Sequence, residues 1–142
     1  MLKELLARYP NDQKKSALIP LLHHAQKENG GWLSVEKMDE VARQLDLEPI
    51  EVYEVATFYS MYHLKPTGKY VLDVCHTGPC ALMGSERCLD HLKKKNLDPS
   101  RFTVRGVECL AACDKGPVMQ VGDELYENLD EEKIDQCLEK LS

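Results

Sequence analysis

The sequence predicts an α+β chain, with a helical bundle over residues 1–65 followed by a small α/β layer over residues 66–142. Three observations carry this reading. Apolar residues recur at helical spacing through the first 65 positions. Lys65-Pro66-Thr67-Gly68 then interrupts the pattern with turn residues. Beyond it, short alternating runs take turns with helical ones, and two of those runs end on cysteine pairs, Cys75 with Cys80 and Cys109 with Cys113.

In the first half, Leu2, Leu5 and Leu6 form a short apolar face, and Pro10-Asn11-Asp12 reads as a turn. Ala17, Leu18, Leu21, Leu22 and Ala25 predict the next helix. Pro20 lies in its first turn or kinks it, and Asn29-Gly30-Gly31 stops it. Ser34 is placed to cap a third helix whose buried stripe is Val35, Met38, Val41, Ala42 and Leu45. A fourth is expected from Pro49 to His63, with Pro49 suited to the first helical position. Val52, Tyr53, Val55, Ala56, Phe58, Tyr59, Met61 and Tyr62 cover most of its circumference, so it is expected to be buried on several sides. Tyr59 and Tyr62, three residues apart, are its candidates for contact with another protein.

In the second half, Tyr70, Leu72 and Val74 alternate with polar and smaller residues and predict a strand ending at Cys75. Ser85 is placed to cap a helix running to about Asn96, with Cys88, Leu89 and Leu92 on one face. Phe102, Val104 and Val107 predict a second strand ending near Cys109. Residues 118–126 read as a hairpin turning at Gly122-Asp123. Asp130 caps a last helix with Ile134, Cys137, Leu138 and Leu141 on its apolar face. A β-α-β unit followed by β-β-α, with the first two strands parallel, fits a thioredoxin-like layer.

Composition excludes several classes. The 142 residues carry a net charge of −6, and neither half is basic, which argues against a nucleic-acid binder. No apolar run reaches the roughly 20 residues of a membrane-spanning helix. The N-terminal residues have an acidic member and no long apolar core, so they do not read as a secretory signal. Six cysteines in a chain that stays in a reducing compartment point to metal or redox chemistry rather than a disulfide framework.

Four thiols in two pairs suit a [2Fe–2S] cluster, which takes two thiolates per iron. Cys75 and Cys80 would hold one iron, Cys109 and Cys113 the other. Gly78 and Gly116 would let the backbone approach closely. Structural zinc also takes four thiolates, though more often at the shorter two-residue spacing, and uncoordinated thiols remain open. Cys88 and Cys137, on apolar faces, read as core residues. His76 beside Cys75 is a substitute ligand that four cysteines make unnecessary. No nucleotide-binding loop and no catalytic dyad is present, so no residue is assigned a catalytic role. Two other functions compete. Residues 34–63 have the outline of a helix-turn-helix, as an iron–sulfur redox regulator would need. Its reading helix would begin Ile50, Glu51, Val52, Tyr53, Glu54, with two carboxylates and no cation for DNA. A free ferredoxin without a fixed partner is the other, and the apolar helix at 49–63 argues against it.

Segments of the chain resemble one family. They are Ser16 to Leu22, Gly31-Trp32-Leu33, Val52 to Tyr59, Pro66 to Tyr70, Val74 to Cys80, and Glu108 to Cys113 followed by Gly116-Pro117. The family is the thioredoxin-like [2Fe–2S] ferredoxin subunit of respiratory complex I, the NuoE type, with relatives in the diaphorase modules of NAD-linked hydrogenases and formate dehydrogenases. The resemblance implies one [2Fe–2S] cluster on Cys75, Cys80, Cys109 and Cys113, and an electron-transfer role in an NADH dehydrogenase. It implies a NuoF-type partner that carries FMN and NADH, with this chain lacking both sites. It also implies a cytoplasmic location, peripheral on the membrane through the complex and without insertion of its own. Ala111, where the family often has Gly, and the charged Asp114-Lys115 depart from the family pattern.

Overall fold

The computed structural model describes residues 2–10 and 12–141; Asn11 of the expected first turn and the side chain of Leu2 lie outside the described residues. The chain divides into two compact units, Met1–Pro66 and Thr67–Ser142.

The first unit is helical: α1 (Leu2–Leu6), α2 (Leu18–Glu28), α3 (Val35–Leu45) and α4 (Pro49–Phe58), with a 3-10 turn at Lys14–Ala17 leading into α2. Pro20 sits in the first turn of α2, where its missing N–H costs nothing, and Asn29 closes the helix. Ser34 caps α3, its hydroxyl accepting from the Lys37 N–H at 3.2 Å. The core gathers Leu18, Leu21, Leu22, Leu33, Met38, Val41, Leu45, Val52 and Ala56. Val35, expected in the α3 stripe, is 55% exposed in the helix's first residue.

The expected helix from Pro49 to His63 is shorter and less buried than its composition suggests. It starts as expected at Pro49, with reciprocal bonds between Glu48 and Glu51. It stops at Phe58, and Tyr59 turns to extended backbone. The Thr57 hydroxyl donates to the Tyr53 carbonyl at 2.6 Å, competing with the helical ladder in the last turn. The chain then folds back, with Leu33 N–H donating to His63 C=O and His63 N–H to the Gln26 side chain, both at 2.7 Å. That return drives Tyr62 into the core, 4% exposed, its hydroxyl donating to the Ile19 carbonyl at 3.0 Å. Burial pushes its phenol up to about 12. Tyr62 is thus a core residue and not an interface candidate. Only Val52 and Ala56 of α4 are fully buried, whereas Ile50, Phe58 and Tyr59 are exposed.

The second unit carries a four-stranded sheet in the order β2-β1-β3-β4. Its strands are β1 (Tyr70–Cys75), β2 (Phe102–Val107), β3 (Met119–Val121) and β4 (Glu124–Tyr126). β1 and β2 are parallel and joined through α6 (Ser85–Lys94), while β3 runs antiparallel to both β1 and β4. The hairpin turns at Gly122, whose φ of 59° is a conformation glycine enters freely. Asp130 caps α7 (Glu131–Lys140), accepting from the Lys133 N–H at 2.8 Å. Leu72, Val74, Cys88, Leu92, Met119, Ile134, Cys137 and Leu138 form the core. Cys88 and Cys137 are therefore packing residues, and burial raises both thiols above the ordinary range. Ser85 is not the expected cap. Gly84 occupies that position at φ 99°, and Ser85 is the first residue of α6, its hydroxyl buried without a partner among the described residues.

Tyr62→Phe is expected to cost about 1 kcal/mol, the typical worth of one hydrogen bond, and Tyr62→Lys several kcal/mol through a buried unpaired charge. Tyr59→Lys should stay within about 0.5 kcal/mol. Urea denaturation followed by circular dichroism separates the three variants.

Candidate metal centre

Parallel pairing decides where the cysteines meet. Cys75 is opposite Val107 in the β1–β2 register, so both strands end at the same edge of the sheet. Each is followed at once by a cysteine loop. The Cys75 N–H donates to Val118 C=O and the His76 N–H to Val107 C=O, both at 3.1 Å, fixing the start of the first loop between two neighbours.

That loop holds an element that the sequence pattern did not predict, the short helix α5 (Gly78–Leu82). Pro79 in its first turn was the available signal. The helix turns Cys80 inward, so Cys75 and Cys80 are each 1% exposed and pack with Val118. The second loop leaves Cys109 and Cys113 exposed, their sulfurs 3.4 Å apart. Cys113 opens a 3-10 turn through Lys115. Backbone donors lie at hand, the Ala111 N–H reaching the Cys109 sulfur at 3.3 Å. Gly116 leaves a space that matters. A Cβ there would stand 3.2 Å from the Cys80 sulfur and 3.3 Å from the Met83 sulfur.

The four thiols influence one another. Burial pushes Cys75 up, but hydrogen bonds from the Thr77 backbone, the Cys80 thiol, the Thr77 hydroxyl and the Leu110 backbone outweigh it, and its pKa falls below the ordinary thiol value. Cys80 is raised by burial and by its bond to Cys75, and it also feels the charge of Cys109. Cys113 is raised by its bond to Cys109 and feels Cys80 and Cys75. Leu110 and Ala112 pack against the cluster of Cys75, Cys80 and Val118, so the fold sets the two expected thiol pairs on adjoining loops. Among the described residues no three His, Cys, Asp or Glu side chains are grouped as a single metal ion requires. His76 is exposed and lies against Gly106 of β2, where a Cβ would come within 2.9 Å of its ring.

The two nearby cations are paired with carboxylates. Arg105 donates to both carboxylate oxygens of Asp73, at 2.7 and 2.8 Å, and Lys115 to Glu127 at 2.9 Å. The Asn128 N–H donates to Lys115 C=O at 2.8 Å, tying the turn after Cys113 to the segment before α7.

Comparison with known proteins agrees with this picture. The profile of the thioredoxin-like [2Fe–2S] ferredoxin family matches residues 2–142. The E subunit of NADH-quinone oxidoreductase from Rickettsia felis is 42% identical, covering 99% of this chain and 88% of that protein. Its namesake in Rickettsia typhi is 41% identical, over 96% of this chain and 84% of that one. Among solved structures, an NAD+-reducing [NiFe]-hydrogenase has the same fold over 87% of this chain, with a TM-score of 0.71 and 21% identity, and this chain spans 22% of the hydrogenase chain. With its helical unit, its parallel-paired α/β layer and its two thiol pairs, the chain belongs to the thioredoxin-like [2Fe–2S] ferredoxin family, alongside the E subunits of NADH-quinone oxidoreductases.

Proposed function

We propose that this chain is the electron-transfer subunit of an NADH:quinone oxidoreductase of the complex I type. It holds one [2Fe–2S] cluster on Cys75, Cys80, Cys109 and Cys113, next to a NuoF-type partner that binds FMN and NADH. The observation that carries the reading is the two thiol pairs on loops that follow two parallel strands, with Leu110 and Ala112 of the second loop packed against the Cys75–Cys80 cluster, in a chain 42% identical over 99% of its length to the Rickettsia felis relative. The donor set fits the group: four thiols for two irons, and an amide already on one sulfur. Gly116 keeps the Cys80 sulfur free of a side chain. When bound, the cluster supplies one-electron chemistry, so the chain relays electrons while the hydride step belongs to the partner. The pairing of Arg105 and Lys115 with carboxylates leaves less positive charge to favour the reduced state. A diaphorase module of an NAD-linked hydrogenase is the second reading, supported by the shared fold; the 42% identity to a quinone-linked relative favours the first.

No helix of the described residues is long and apolar enough to cross a membrane. Membrane association then comes through the complex, on its cytoplasmic side. Two exposed apolar surfaces suit partner contact. Phe58 is 78% exposed and stacks edge-on against Tyr59, with Met61 and Leu64 also exposed. In the other unit Leu82, two residues beyond Cys80, is 91% exposed, with Met83 beside it. Exposed aromatics of this kind are enriched in interface cores.

Protein purified without oxygen should contain iron and acid-labile sulfide in equal amounts and give a spin-half EPR signal on reduction. Serine at Cys75, Cys80, Cys109 or Cys113 should abolish or shift that signal, and serine at Cys88 or Cys137 should leave it. Stoichiometric zinc without sulfide would end the cluster reading.

Phe58→Lys with Tyr59→Lys should keep the EPR signal and weaken binding to the flavin subunit by about tenfold to a thousandfold, the range for lost interface anchors. Undiminished association in a titration would move the interface elsewhere.

Gly116 has φ −64°, which alanine tolerates, so any loss in Gly116→Ala is steric. It should lower apo-protein stability by about 1–3 kcal/mol through overpacking and reduce cluster content. Gly122→Ala, at φ 59° with open space around it, should cost about 1–2 kcal/mol and leave cluster content intact. Equal cluster content in the two variants would show that the space at Gly116 has no part in the site.

A further inference from the structure

Ala111 stands between Cys109 and Cys113 with a φ of 59°. L-residues with a Cβ are crowded in this left-handed region, and alanine has no side-chain polar group to offset the crowding. Such a conformation persists only where its surroundings impose it. Here both sides are tied. The peptide plane before Ala111 carries the N–H that reaches the Cys109 sulfur at 3.3 Å. After it, the Lys115 N–H donates to Ala112 C=O at 3.1 Å, and the Asn128 N–H holds Lys115 C=O at 2.8 Å. The torsion at Ala111 therefore sets the angle between the N–H aimed at one sulfur and the turn that carries the other, 3.4 Å away. With a negative φ, either the amide would leave Cys109 or Cys113 would swing away from its partner.

We propose that Ala111 is a positioning residue, whose left-handed backbone holds its amide on the Cys109 sulfur and raises the reduction potential of the cluster. This rests on the four-cysteine reading above. An N–H donated to a ligating sulfur stabilises negative charge, and it does so more strongly after the cluster has gained an electron. Glycine in place of Ala111 keeps the amide and adopts the same torsion freely. A β-branched residue does not, because its side chain is strongly crowded at positive φ.

The test compares Ala111→Gly and Ala111→Val in the full chain with its cluster. Redox titration followed by EPR should give an unchanged midpoint potential for Ala111→Gly and a lower one for Ala111→Val. A second measurement does not depend on Ala111→Val assembling. With 15N-alanine labelling, pulsed EPR of the reduced cluster should show a nitrogen coupling in the unaltered protein that Ala111→Gly loses, since the amide at 111 is then unlabelled. If the unaltered protein holds no iron–sulfur cluster, the four-cysteine reading falls and this inference with it. If it does hold one, an unshifted potential in Ala111→Val, or every 15N coupling retained in Ala111→Gly, overturns the inference alone.

Discussion

The parallel pairing of β1 with β2 is the constraint on which the rest of the second unit depends. Cys75 ends one strand, and Cys109 follows the other by two residues, with Cys75 set against Val107 in the register. Antiparallel strands would send the two cysteine loops to opposite edges. A parallel pair needs a crossover, and α6 supplies it with Cys88 and Leu92 buried against the sheet. Shifting the register by one residue would turn Leu72 and Val74 out of the core and move Cys75 out of line with the second loop. Core and cysteine geometry are thus specified by the same set of hydrogen bonds.

The same edge divides the thiols into unlike pairs. Cys75 and Cys80 are shielded from water, and burial pushes the Cys75 thiol up while hydrogen bonds outweigh it and hold it below the ordinary range. Cys109 and Cys113 face solvent, where water and the Ala111 amide offset charge. Cys109 and Cys113, with sulfurs 3.4 Å apart, would repel strongly if both were ionised. The neighbouring cations give limited help, since Arg105 and Lys115 already pair with Asp73 and Glu127.

Much of this was legible in the sequence, for identifiable reasons. The alternation in Tyr70 to Val74, the capping residues Ser34 and Asp130, and Gly122 at the hairpin are local signals, and their structural causes are local too. The cysteine spacing reads as two thiol pairs, and the fold sets those pairs on the adjoining loops that follow β1 and β2. What failed depended on distant contacts. The apolar run from Val52 to Tyr62 reads as one helix by composition, yet Tyr62 gains more by returning to the core beneath Ile19 than by continuing the spiral. Ser85 has the chemistry of a cap, but the left-handed Gly84 before it takes the turn, and packing encloses the hydroxyl instead. Gly116 reads from sequence as a point of close backbone approach, but what approaches it does not, because Cys80 and Met83 are more than thirty residues away in sequence.

The shortening of α4 bears on function as well as fold. A helix apolar on all sides should be buried on all sides, and a bundle of four short helices cannot enclose it. The chain resolves this by ending the helix at Phe58 and enclosing a single aromatic, Tyr62, from the segment that follows. Phe58 and Tyr59 are left outside, stacked on each other with ring centres 5.0 Å apart. Leaving Phe58 78% exposed forgoes the stabilisation its burial would supply to the bundle, of the order of 2 kcal/mol. The cost is offset only where another surface covers the pair. Retention of two large rings at a point where the backbone has already left the core is therefore better explained by association than by the stability of this unit alone.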